Sequence, residues 1–110
     1  MKALIVFLML IFSYCSAVNA HPAHKIEAEI KENAIDIKVL HPVSNPTKHY
    51  IDEIVISLNN KVVFTQTFTS QKNNQQLFSF NFEKLNKGDK ILINTHCNIF
   101  GRKKKEFTVE

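Results

Sequence analysis

The sequence predicts an all-β protein, an immunoglobulin-like β-sandwich of about seven strands. Three observations predict it. Beyond residue 20, apolar and polar residues alternate in short runs, the period of a strand buried on one face. Turn-forming residues separate these runs at close intervals, the spacing seen in β-sandwiches. No stretch carries the apolar spacing of an amphipathic helix.

The runs can be taken in order. From Lys25 to Ile30, residues Ile26, Ala28 and Ile30 share one face. Lys31-Glu32-Asn33 reads as a hairpin turn into Ala34 to Leu40, where Ile35, Ile37 and Val39 point inward against Asp36 and Lys38. Pro42 and Pro46 then remove two backbone donors, and Ser44 and Asn45 favour turns, so this stretch is a loop. Ile51 to Leu58 is the next strand, with Ile54, Ile56 and Leu58 on one side. Asn59-Asn60 reads as a two-residue hairpin turn, because Asn tolerates positive φ. Val62 to Phe68 follows, with Val62, Phe64 and the stem of Gln66 alternating against Val63, Thr65 and Thr67. Gln71 to Gln76 reads as a polar loop. Leu77 to Phe82 places Phe78, Phe80 and Phe82 on one face, as core packing rather than a binding stripe. After a turn at Asn86-Lys87-Gly88-Asp89, a strand through Ile91, Ile93 and Thr95 delivers His96 and Cys97, and Glu106 to Val109 closes the domain.

The first 20 residues read differently. Lys2 supplies one positive charge, Ala3 to Phe12 is apolar, and Val18 and Ala20 are small enough for a signal peptidase. The expectation is a secretory signal peptide over residues 1–20, cut after Ala20, and a domain over residues 21–110 that is secreted or periplasmic. The apolar run is too short to span a bilayer as a helix. Lipid anchoring through Cys15 is the alternative, with bulky Tyr14 standing where a small residue is expected.

Removing the signal leaves 13 basic residues against 10 acidic ones, a mildly positive chain. Apart from Arg102-Lys103-Lys104-Lys105, read as a solvated lead-in to a strand, the charges are dispersed. That argues against a nucleic-acid partner and favours modest attraction of a small anion. Cys97 becomes the one cysteine of an exported chain, so it closes no internal disulfide. It is then a buried apolar residue, an intermolecular partner or a metal ligand.

The histidines favour the third reading. His21 and His24 sit at the expected mature N-terminus, His41 ends a strand, His49 leaves a loop, and His96 and Cys97 end another strand. Strand ends and loops can gather at one edge of a sandwich. Imidazole and thiolate are the usual ligands of iron, copper and zinc. Neighbours on a strand point to opposite faces, so His96 and Cys97 diverge unless a bulge or turn intervenes. No Gly-x-Ser-x-Gly segment supports a serine hydrolase, and Gly88 and Gly101 cannot form a phosphate-binding loop.

His41-Pro42, then His49-Tyr50-Ile51 with Glu53-Ile54, resembles the His-Pro…His-Tyr-Ile signature of the superoxide reductase (desulfoferrodoxin iron-binding) family. Gly88-Asp89, leading through a strand to Cys97-Asn98-Ile99-Phe100-Gly101, is similar to that family's Cys-Asn-x-His-Gly segment. The resemblance covers most of the chain beyond residue 20. It implies an immunoglobulin-like β fold and a mononuclear iron, cycling between ferrous and ferric forms, with four equatorial histidines and an axial cysteine. It implies one-electron reduction of superoxide, with a small anion as substrate and an electron donor protein as partner. His41 and His49 match two equatorial histidines, Cys97 matches the axial thiolate, and His24 or His21 is the upstream candidate. Phe100 stands where the last histidine is expected, and His96 is the candidate substitute.

Two other functions compete. A mature N-terminus at His21 would offer its amine and imidazole to copper, with His24 or His41 completing the site. The other is a non-enzymatic binding or carrier module with a degenerate metal site, in which an exposed edge strand pairs with a partner.

Overall fold

The computed structural model describes residues 21–110. The expected signal peptide, and the lipid-anchor alternative at Cys15, lie outside the described residues. Seven strands follow one another: β1 (Lys25–Lys31), β2 (Ala34–Leu40), β3 (Ile51–Leu58), β4 (Lys61–Thr67), β5 (Gln75–Asn81), β6 (Lys90–Cys97) and β7 (Arg102–Thr108). They form a three-stranded sheet ordered β1-β2-β5 and a four-stranded sheet ordered β4-β3-β6-β7, with antiparallel pairing throughout. This is the immunoglobulin-like arrangement, with the fourth strand paired to the third instead of edging the first sheet. No helix among the described residues is long and apolar enough to cross a membrane.

The turns form where the backbone can take them. Asn59 and Asn60 have φ of 50° and 70°, the doubly positive pair that a tight hairpin turn requires. Glu32, at φ 55°, turns β1 into β2. The alternation then sorts side chains between core and solvent. Ile26, Ile35, Ile51, Ile54, Ile56, Ile91 and Ile93 are all fully buried. Each contributes roughly 1.5–3 kcal/mol by leaving water.

Isoleucine therefore makes the centre of the core, with Phe82 joining it and Phe78 and Phe80 packed against it. Phe82 is buried and Phe78 and Phe80 are half-buried. Phe64 reaches them from β4, its ring centroid 5.7 Å from Phe78 and 5.0 Å from Phe80. These rings close the seam between the two sheets at the β4–β5 side.

Three expectations need correction. The alternation in β4 marks no buried face: Val62, Val63 and Phe64 are all exposed, because β4 is a sheet edge. The closing strand begins at Arg102, not Glu106, so the basic run lies within β7 and is no lead-in. Its lysines suit an outer strand, where charge hinders edge-to-edge pairing. The stretch from Gln71 to Gln76 is not wholly a solvated loop: Lys72, Asn73 and Asn74 are exposed, but Gln71 and Gln76 are buried and Gln75 and Gln76 already belong to β5.

Candidate metal centre

Two strands run out at the same end of the sandwich. In β2 the inward residues are Ile35, Ile37 and Val39, and His41 continues that series one step past the strand, fully buried. Pro42 stops the ladder there. In β6 the inward residues are Ile91, Ile93, Thr95 and finally Cys97, also fully buried. A core alternation carried to the end of each strand thus delivers one imidazole and one thiol to the inside.

The loop between β2 and β3 returns a second histidine. The Asn45 carbonyl accepts from Lys48 N–H at 3.1 Å and from His49 N–H at 2.9 Å, folding the chain back on itself. Asn98 then brackets His49. Its Oδ1 accepts from Tyr50 N–H at 2.9 Å, and its Nδ2 donates to the Lys48 carbonyl at 3.0 Å. The residue beside Cys97 therefore ties down both neighbours of His49. His49 Nε2 lies 3.2 Å from Cys97 Sγ.

His21 completes the group from the N-terminal side. His21, His41 and His49 each offer a nitrogen, and the three nitrogens lie within 4.8 Å of one another. Their ring centroids are 4.7–5.0 Å apart. Pro22 seats this segment against Gly101, whose φ is +93° and where an added Cβ would lie 3.2 Å from two Pro22 carbons. Gly101→Ala should therefore cost about 1–3 kcal/mol, combining an unfavourable φ with that clash. It should also displace Pro22 and, with it, His21. Chemical denaturation and metal titration of the same variant would check both effects.

Gln71 is the buried polar residue beneath His41. Its Oε1 lies 3.0 Å from His41 Nδ1 and accepts from Ile51 N–H at 3.0 Å. Its Nε2 donates to the His41 carbonyl at 2.7 Å and to the Asn73 carbonyl at 3.0 Å.

The other candidates stand apart. His24 is exposed, and only its backbone is tied inward, with N–H donating to the Leu40 carbonyl at 2.7 Å. His96 points to the opposite face from Cys97, where Nδ1 meets Asp52 Oδ1 at 2.7 Å. A bulge does occur, in β3 between Ile51 and Glu53. It brings Asp52 to His96 and leaves the alternation of β6 intact, so His96 and Cys97 diverge. Phe100 is 63 % exposed and does not close the centre. Gln71 and Asn98 are the polar residues that sequence reasoning gave no role. Asn98 carried a signal, its place directly after the lone cysteine; Gln71 carried none.

The donor set suits a metal ion. Ligand bonds of about 2.0–2.3 Å put neighbouring donors on one ion roughly 3–4 Å apart. The His49–Cys97 separation falls there, and modest closure of the three imidazoles would bring them into the same range. Cys97 Sγ stands beside His49 and outside the group of three mutually close imidazole nitrogens, so all four donors would meet one ion only if the centre closes; imidazole and thiolate are ligands of iron, copper or zinc.

The pKa of His49 lies below the ordinary imidazole value, first because burial disfavours the cation and then because His41 and His21 repel it. The unfolded chain takes up a proton near pH 6.5, its ordinary imidazole value, that folded His49 refuses until lower pH. Metal-free protein should thus lose stability as the pH falls from about 6.5 to the depressed value, and level off below it. Urea melts across this range should show the slope, and His49→Gln should flatten it. His21, His41 and Cys97 face His49 within the centre and remain in that variant.

The β-sandwich is similar in fold to solved superoxide reductases. Two solved structures carry the likeness. The one-iron superoxide reductase of Giardia intestinalis aligns with a TM-score of 0.62 at 20% identity, covering 81% of this chain and 100% of that one. The superoxide reductase (neelaredoxin) of Archaeoglobus fulgidus, in its reduced form, aligns with a TM-score of 0.51 at 23% identity, covering 83% and 90%. At these identities the likeness is one of fold. No protein-family model matches the sequence, and no curated protein matches it.

Proposed function

We propose that His21, His41, His49 and Cys97 hold one iron ion and that the protein is an exported, superoxide reductase-like oxidoreductase. The observation that carries this reading is the 3.2 Å approach of His49 Nε2 to Cys97 Sγ beside the three-histidine group, on a fold shared with superoxide reductases. Iron held this way would supply one-electron chemistry toward superoxide, a small anion that the mildly positive chain attracts.

The protein's own residues would fix the donors. Cys97, fully buried, keeps its sulfur away from bulk oxidants. Asn98 and the Asn45 turn set the loop that carries His49. Phe100 points to solvent and adds no ligand, so this donor set is smaller than the resemblance implies. An electron donor protein would complete the cycle.

The test is anaerobic addition of ferrous iron to metal-free protein, followed by oxidation. One iron per chain and a visible thiolate-to-iron absorption band are expected. Absence of the band in the wild-type protein would end this reading.

Copper is the second reading, favoured by the place of His21 within the group. Cleavage after Ala20 would free the His21 amine beside its own imidazole. Pro22 offers no amide nitrogen, which leaves a brace of amine and imidazoles. N-terminal sequencing with copper titration decides it: a start elsewhere, or unchanged affinity after one residue is added ahead of His21, rules it out.

A further inference from the structure

We infer that Gln71 is a positioning residue that fixes the tautomer of His41 and so selects Nε2 as its metal-binding atom. The inference rests on the metal-centre reading above and adds to it a residue outside the donor set.

It begins with the orientation of a buried amide. The NH2 end of Gln71 meets two carbonyl oxygens, those of His41 at 2.7 Å and Asn73 at 3.0 Å. The oxygen end meets Ile51 N–H at 3.0 Å. Turning the amide over would set nitrogen against an N–H donor and oxygen against two carbonyls, losing all three bonds. The atom facing His41 Nδ1 at 3.0 Å is therefore an acceptor. A favourable contact there requires the proton on Nδ1.

His41 Nε2 also lies 3.3 Å from the His21 carbonyl. A neutral imidazole carries one N–H and cannot donate to both oxygens. The two tautomers compete, and three features favour Nδ1–H. Its contact is the shorter. Its acceptor is buried, where water cannot replace a lost second donor. That acceptor is also held by a closed network, made by Ile51 N–H and the two carbonyls that Gln71 Nε2 meets. With Nδ1 protonated, the lone pair sits on Nε2, the state a metal requires.

Gln71 also joins separate parts of the chain. Besides Ile51, at the start of β3, its backbone N–H donates to the Pro46 carbonyl at 3.1 Å within the β2–β3 loop. One residue therefore orients His41 through its side chain and anchors the loop that delivers His49 through its backbone.

The test uses isotope-labelled, metal-free protein at mildly alkaline pH, where imidazoles are neutral. Long-range proton–nitrogen NMR correlations report which ring nitrogen of His41 bears hydrogen. Wild-type protein should show Nδ1–H and a bare Nε2. Gln71→Glu keeps the acceptor and loses both donated bonds, so it should be less stable yet retain the tautomer. Gln71→Met removes acceptor and donors, so it should lose the Nδ1–H preference and weaken ferrous iron binding by roughly 10- to 100-fold. A merely structural glutamine would destabilise both variants and leave the tautomer unchanged in both, which overturns the inference. So does Nε2–H in the wild type. Wild-type protein with the Nδ1–H tautomer but no iron binding would sink the proposed function and leave the Gln71–His41 pairing standing. Should the Met variant fail to fold, the Glu spectrum still decides: a carboxylate accepting from His41 Nδ1–H should move that proton's resonance downfield of its wild-type position, and an unmoved resonance overturns the inference.

Discussion

Cys97→Ser is expected to abolish the visible thiolate-to-iron absorption of the iron-loaded protein, with the β-sandwich intact by circular dichroism. The change replaces one atom at a fully buried position. It removes the only sulfur donor among the described residues. A serine hydroxyl does not ionise where a thiol does, so no charge-transfer band can remain. The stability cost should be modest, about 1–3 kcal/mol for a hydroxyl placed among apolar neighbours. His49 Nε2, 3.2 Å from the present sulfur, is its nearest available partner. A non-enzymatic module with a merely packed cysteine predicts otherwise: no band in either protein, and no protection of Cys97 from a thiol reagent on adding iron.

His41→Ala should be the most damaging substitution in the centre. His41 is fully buried and meets Gln71 through Nδ1 at 3.0 Å. Removing the ring opens a cavity and leaves part of the Gln71 oxygen unmet, together about 2–4 kcal/mol. Iron should raise the melting temperature of wild-type protein, because a ligand bound only by the folded state stabilises it. In His41→Ala that increment should vanish. Thermal melts with and without ferrous iron separate the two effects: the first lowers the metal-free melting point, and the second removes the gain on loading.

The fold was legible where one face of a strand is buried. Ile35, Ile37 and Val39 declare a face by alternating with polar residues, and Ile91, Ile93 and Thr95 do so with Leu92 as the one apolar residue between them. The same alternation reaches His41 and Cys97 and sets both inside, although from the sequence they were placed only at strand ends. It misled at β4, where Val62 and Val63 are apolar neighbours on an edge that buries neither. It was silent at β7, because Arg102 to Lys105 has no apolar partner residues to reveal a period.

The centre was legible only in part, since it is assembled by contacts between distant segments. Nothing local distinguishes His21 from His24. The choice falls to Pro22 resting on Gly101, a contact across the length of the domain. His96 lies next to Cys97 in sequence, yet pleating sends it to the outer face and Asp52. Gln71 looks like any glutamine in a polar loop until its amide is seen beneath His41. Polar residues that serve the backbone leave no periodic trace.

The central claim is that His21, His41, His49 and Cys97 converge on one ion. X-ray absorption at the iron edge of protein loaded with one equivalent tests it most directly. One sulfur neighbour accompanied by nitrogen neighbours is the predicted coordination sphere, with the sulfur lost in Cys97→Ser. A sphere of light atoms alone in the wild type, or no retained iron to measure, would contradict it.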